Sequence, residues 1–147
     1  MNIVRGNIDC LEDIALLFNG YRMFYEQKSD LEGAKEFIKE RILQEESYIF
    51  IAYEEDKPVG FVQLFPFFTS VGMKRAYVLN DLFVDPSCRG KGAGQALMQK
   101  AFHFCNEKNG RFVLLQTATS NHAAKALYER VGMELESESD WYIKYFE

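Results

Sequence analysis

The run Val84-Asp85-Pro86-Ser87-Cys88-Arg89-Gly90-Lys91-Gly92-Ala93-Gly94-Gln95 has the residue types and spacing of an anion cradle. An apolar, β-rich segment, Ala76 to Val84, stops there at a proline turn. A helix-period pattern begins directly behind the glycines. The first amides of a helix have no partner inside it, and the helix dipole adds positive potential at that end. Gly90, Gly92 and Gly94 carry no side chain to hold a phosphate away, and glycine accepts positive φ. The predicted chemistry is capture of a pyrophosphate-bearing cofactor on the main-chain amides from Gly90 through Ala93 to Gln95, with Arg89 and Lys91 adding positive charge.

Three glycine loops compete for that role. A P-loop needs a Gly-Lys-Ser or Gly-Lys-Thr ending that the chain lacks. A dinucleotide fingerprint needs a different glycine spacing and an acid about twenty residues on, and Phe112 to Gln116 contains none. The third pattern is Arg or Gln, two residues, Gly, one residue, then Gly or Ala. Arg89-Gly90-Lys91-Gly92-Ala93-Gly94 fits it at every defined position. A second segment, Thr119-Ser120-Asn121-His122 through Leu127-Tyr128 to Gly132, lies farther on. Together the two motifs, in this order, resemble the acetyl-CoA loop and the second signature of the GNAT superfamily of N-acetyltransferases, over roughly Ile3 to Tyr145.

That resemblance implies a set of roles. Acetyl-CoA would be the co-substrate, with no metal. The main chain of Leu82 and Val84, with Phe83 between them, would meet the pantetheine arm like an added strand, and one amide would polarise the acetyl carbonyl. Asn121 would touch the same arm, and Tyr128 would protonate the departing thiolate. Asn121, Ala124 and Tyr128 do share one helix face, where Tyr128 reads equally as a core tyrosine. An amine of pKa about 10.4 is almost wholly protonated at neutral pH, so acetyl transfer to it benefits from a base. Asp81, an acid inside the apolar run Val78 to Phe83, is the candidate, its pKa raised by those surroundings. It reads equally as a solvent-facing strand residue. Arg22 and Tyr25 are candidates for the acceptor pocket and also for ordinary helix positions.

The elements that must position these residues follow from hydrophobic period. Met1 to Arg5 is a short strand. Asp9 with Glu12 forms a capping box for a helix through Tyr25. Asp30 opens a second helix. Tyr48 to Tyr53, Val59 to Phe67 and Lys74 to Val84 are three strands. A helix spans Gly92 to Lys108 and ends at Asn109-Gly110. Phe112 to Gln116 is a buried strand, Ser120 or Asn121 caps the last helix, and Met133 to Leu135 and Trp141 to Phe146 are closing strands. The fold class is α/β, a mixed, mostly antiparallel sheet of about seven strands flanked by helices. The resemblance implies that this sheet splays open between the fourth and fifth strands.

Size and composition set the remaining bounds. The 147 residues read as one domain, 1–147, with 48% apolar and 27% charged residues, as in a globular protein. A net charge of −5 without a basic run argues against nucleic acid as partner. No apolar run is long enough for a membrane span and no signal segment is present, so the expectation is a cytoplasmic protein without a membrane partner. Cys10, Cys88 and Cys105 show neither metal spacing nor a disulfide framework. The expected activity is acetyl transfer to a primary amine of a small molecule or amino acid, by direct attack in a ternary complex. The alternatives are a protein or peptide acetyltransferase and a non-catalytic acyl-CoA-binding module. The resemblance also allows a homodimer, for which Phe65-Pro66-Phe67-Phe68 and Trp141-Tyr142 are candidate surfaces.

Overall fold

The computed structural model describes residues 1–147, which form two compact units, Met1–Gln116 and Thr117–Glu147. The first unit runs β1 (Asn2–Arg5), α1 (Leu11–Phe24), α2 (Leu31–Leu43), β2 (Tyr48–Glu54), β3 (Lys57–Thr69), β4 (Lys74–Val84), α3 (Ala93–Glu107) and β5 (Val113–Leu114). Its strands form one sheet in the order β1-β2-β3-β4-β5, antiparallel except for the parallel pair β4–β5. The second unit holds one helix, α4 (His122–Arg130). No helix is long and apolar enough to cross a membrane.

Strand β2 reads as a continuous apolar run because both of its faces are covered. Ile49 and Ile51 join Phe61 and Phe83 against Ile14, Leu17 and Phe18 of α1 and Ile38 of α2. Tyr48 and Phe50 alternate to the other face, where their rings meet Phe104 of α3 at 4.7 and 5.5 Å. Each buried aliphatic or aromatic chain of this kind contributes on the order of 2 kcal/mol. Helix ends follow local chemistry. Asp30 accepts the Gly33 amide at 2.9 Å to start α2. Helix α3 stops at Asn109, φ +60°, with the Gly110 amide returning to the Cys105 carbonyl at 2.9 Å. Gly132, φ +95°, closes α4 in the same way, the Met133 amide reaching the Tyr128 carbonyl at 2.9 Å.

Two expectations need correction. The Asp9–Glu12 capping box does not form. Asn7 accepts the Asp9 amide at 2.9 Å and starts a short 3₁₀ turn, Ile8–Cys10, so Asp9 is already inside a turn when α1 begins at Leu11. The sheet has five strands, not about seven. Met133 to Leu135 and Trp141 to Phe146 carry no regular secondary structure, and the strand expected over Phe112 to Gln116 covers only Val113–Leu114. Strand propensity expresses a fit to a neighbouring strand, and these segments pair with none beyond those two residues.

Candidate active site

Strand β4 changes sides partway along its length. The Tyr77 amide donates to Phe112 on the β5 side at 3.1 Å, whereas the Asp85 amide donates to Val59 on the β3 side at 2.8 Å. Amides of equal parity point the same way along a regular strand, so one extra residue must lie between them. It does: Leu79 pairs with Leu64 and Asp81 with Gln63, which leaves Asn80 as a β-bulge. Beyond the bulge the amides of Leu82 and Val84 point away from β3. Strand β5 pairs only with Tyr77 and Val78, so that edge of β4 has no further β5 partner. Pairing with β5 therefore ends before the bulge. Phe83, between the two amides, turns its main chain to β3 and packs its ring edge-on against Tyr21.

The free edge runs into the glycine loop. Asp85 accepts from the Ser87 amide at 2.9 Å and the Ser87 hydroxyl at 2.7 Å, which fixes a turn over Pro86–Cys88. The Ser87 hydrogen bonds hold the Asp85 carboxyl below its ordinary pKa. Gly90 and Gly92 both have φ +82°. A Cβ at either would meet nothing within 4 Å, so backbone conformation, not crowding, demands glycine there. Gly92 is the N-cap of α3 and supplies no side-chain cap, so the amides of Ala93, Gly94 and Gln95 begin the helix without one. Lys91 is exposed. Arg89 donates from Nε to the Val84 carbonyl at 3.0 Å and lays its guanidinium over Phe24 and Phe83. It thus ties the loop to the end of β4.

The same bulge turns Asp81 toward α1. There Asp81 is only 4% exposed. Gln63 Nε2 donates to Asp81 Oδ2 at 2.5 Å, and Asn80 Nδ2 reaches Oδ1 at 3.3 Å. The Tyr21 hydroxyl shares its one proton between the Asp81 carboxyl and the Asn80 carbonyl, the latter at 3.3 Å. Burial raises the carboxyl pKa above its ordinary value, and the bonds from Gln63, Tyr21 and Asn80 oppose that rise. Gln63 and Tyr21 escaped sequence reasoning. One polar residue inside Val59 to Phe68 was the available signal for Gln63, and Tyr21 was legible only as a member of the apolar stripe of α1.

A cleft of about 580 Å³ opens between Gly20, Met23 and Phe24 of α1 and Pro58, Phe83 and Asp85, and Asp81 and Tyr21 do not line it. Arg22 and Tyr25 do not line it. In the second unit, Asn121 caps α4 by accepting the Ala124 amide at 3.2 Å, and Tyr128 lies two turns on.

Comparison with known proteins identifies the family. The model of the "Acetyltransferase (GNAT) family" matches residues 14–133. An uncharacterized N-acetyltransferase of Bacillus subtilis (strain 168), YhfO, is 47% identical over 134 residues, covering 91% of this chain and 90% of its own. A probable acetyltransferase of Haemophilus influenzae is 31% identical over 77% of this chain and 78% of its own. Among solved structures, a crystal structure of a probable acetyltransferase superposes with a TM-score of 0.95 at 32% identity, over 100% of this chain and 99% of that one. The chain belongs to the acetyltransferase (GNAT) family and is an acetyltransferase enzyme.

Proposed function

We propose that the enzyme transfers acetyl from acetyl-CoA to a primary amine of a small molecule or amino acid, by direct attack within a ternary complex. The observation that carries this is the pair of outward amides, Leu82 and Val84, on a strand edge that leads into the uncapped start of α3. These residues fit the cofactor: donors along the edge suit the amide-bearing arm, and the amides from Gly90 to Gln95 suit a diphosphate. When bound, acetyl-CoA supplies the activated acetyl group and a thiolate leaving group.

The remaining steps belong to this chain. Asp81, buried and with a raised pKa, accepts the proton of the incoming amine, directly or through one water. The amide of Leu82 or Val84 stabilises the carbonyl oxygen as it gains charge. Tyr128, by family resemblance, returns a proton to the sulfur. A cleft of about 580 Å³ between α1 and the end of β4, lined by Phe83 and Asp85 and not by Asp81, is the size of a small-molecule site, which favours a small acceptor over a protein.

Thiol release from acetyl-CoA against a panel of amines, amino acids and peptides tests the proposal. A small amine or amino acid should be the best acceptor. Turnover restricted to peptides would replace the small acceptor with a protein one. Binding of acetyl-CoA without turnover on any amine would leave a binding module. Stabilisation by NAD or ATP but not acetyl-CoA would remove the cofactor assignment.

A further inference from the structure

We infer that Gln63 is a positioning residue for Asp81, its amide held in one orientation by the Ser47 hydroxyl. The inference rests on Asp81 being the base. Ser47, just ahead of β2, Gln63 of β3 and Asp81 of β4 form a hydrogen-bonded chain with one direction. Ser47 Oγ donates to Gln63 Oε1 at 2.7 Å, and Gln63 Nε2 donates to Asp81 Oδ2 at 2.5 Å. Gln63 is fully buried, in the middle of an otherwise apolar stretch of β3.

The chemistry explains the direction. An ionised carboxylate only accepts, so the glutamine must offer its NH₂ end. The carbonyl end then needs a donor, because an unpaired buried acceptor is costly. Ser47 meets that need from just ahead of β2, at the edge of a second, polar cleft with Arg5, Glu45 and Tyr48. Without the hydroxyl only the bond to Asp81 itself holds the amide's orientation, and the buried carbonyl end is left unpaired. Few other groups act on this carboxyl. Tyr21 from α1 is its titratable neighbour, β3 offers neutral Gln63, β4 offers neutral Asn80, and no charged side chain shifts it. The Gln63 bond is the first of those that oppose the cost of burial.

The test is the pH dependence of kcat, with KM for acetyl-CoA and melting temperature read in parallel. Gln63→Leu should move the acid limb of the profile up by about one pH unit, with KM for acetyl-CoA within about twofold of the parent. Ser47→Ala should move it the same way by less, and Ser47→Thr, which keeps the hydroxyl, should bring it back. An acid limb unmoved in a folded Gln63→Leu protein overturns the inference. If that variant fails to fold, an unmoved limb in Ser47→Ala does so instead. Asp81→Asn separates the two layers of reasoning. If it abolishes the limb while Gln63→Leu leaves the limb in place, the base stands and the positioning role falls. If it leaves the limb intact, the base assignment falls and the positioning role with it.

Discussion

Asp81 faces Gln63 across the β3–β4 pair, carboxyl oxygen to amide nitrogen at 2.5 Å, at the pair that borders the Asn80 bulge. The bulge and the hydrogen bond belong together. Tyr77, four residues before Asp81, packs its ring against Phe104 of α3, whereas Asp81 meets Tyr21 of α1. Residues of equal parity would share a face on a regular strand, and only the extra residue separates these two.

A carboxyl buried in this way should work against stability at neutral pH. Its folded pKa lies above the unfolded one, so the native state holds the proton more tightly. Stability contributed by the protonated form is then lost as pH rises from the ordinary carboxylate value through the raised one. Asp81→Asn should therefore raise the melting temperature at pH 7, while lowering kcat at least about 100-fold. Calorimetry beside thiol-release kinetics checks both. A variant both less stable and equally active would contradict each half.

At Gly92 the expected losses come in two sizes. Gly92→Ala puts a side chain on a φ of +82° in open space, so it should cost about 1 kcal/mol of stability and little else. Gly92→Glu adds a negative charge at the start of α3 and should abolish acetyl-CoA binding. Denaturant melts and calorimetric titration distinguish the two. Unchanged affinity in the glutamate variant would remove the loop from the site.

For Tyr128→Phe the prediction concerns rate and not affinity. If the hydroxyl protonates the thiolate, kcat falls about 10- to 100-fold and the acetyl-CoA dissociation constant stays within about twofold. Equal kinetics in both proteins would leave Tyr128 as a structural tyrosine.

Thiol labelling should separate Cys10 from Cys105. Burial pushes the Cys105 thiol up to about 12, so it stays protonated at pH 8. Cys10 is only partly covered. Alkylation of the native protein at pH 8, read by peptide mass spectrometry, should modify Cys10 first and Cys105 only after denaturation. Early labelling of Cys105 would mean that α3 opens locally.

Much of this enzyme was legible one residue at a time. The glycine loop, the exact span of β4 from Lys74 to Val84, the Asp30 cap, the narrowing of the last cap to Ser120 or Asn121 and the Asn109-Gly110 stop all rest on local chemistry, which sequence displays directly. The closing strands were misread because strand formation depends on a partner. Asp9 was misread because Asn7, two residues earlier, claimed its amide.

What the sequence determined alone was the class of loop: alternating glycines at a helix start, bordered by a strand. Tertiary structure decided which groups that site presents. A single bulge at Asn80, invisible to a two-residue period, turned the Leu82 and Val84 amides to the open edge and Asp81 toward α1. Gln63 reached that carboxyl, and Ser47 reached Gln63, only through strand register, which depends on pairing across the whole sheet.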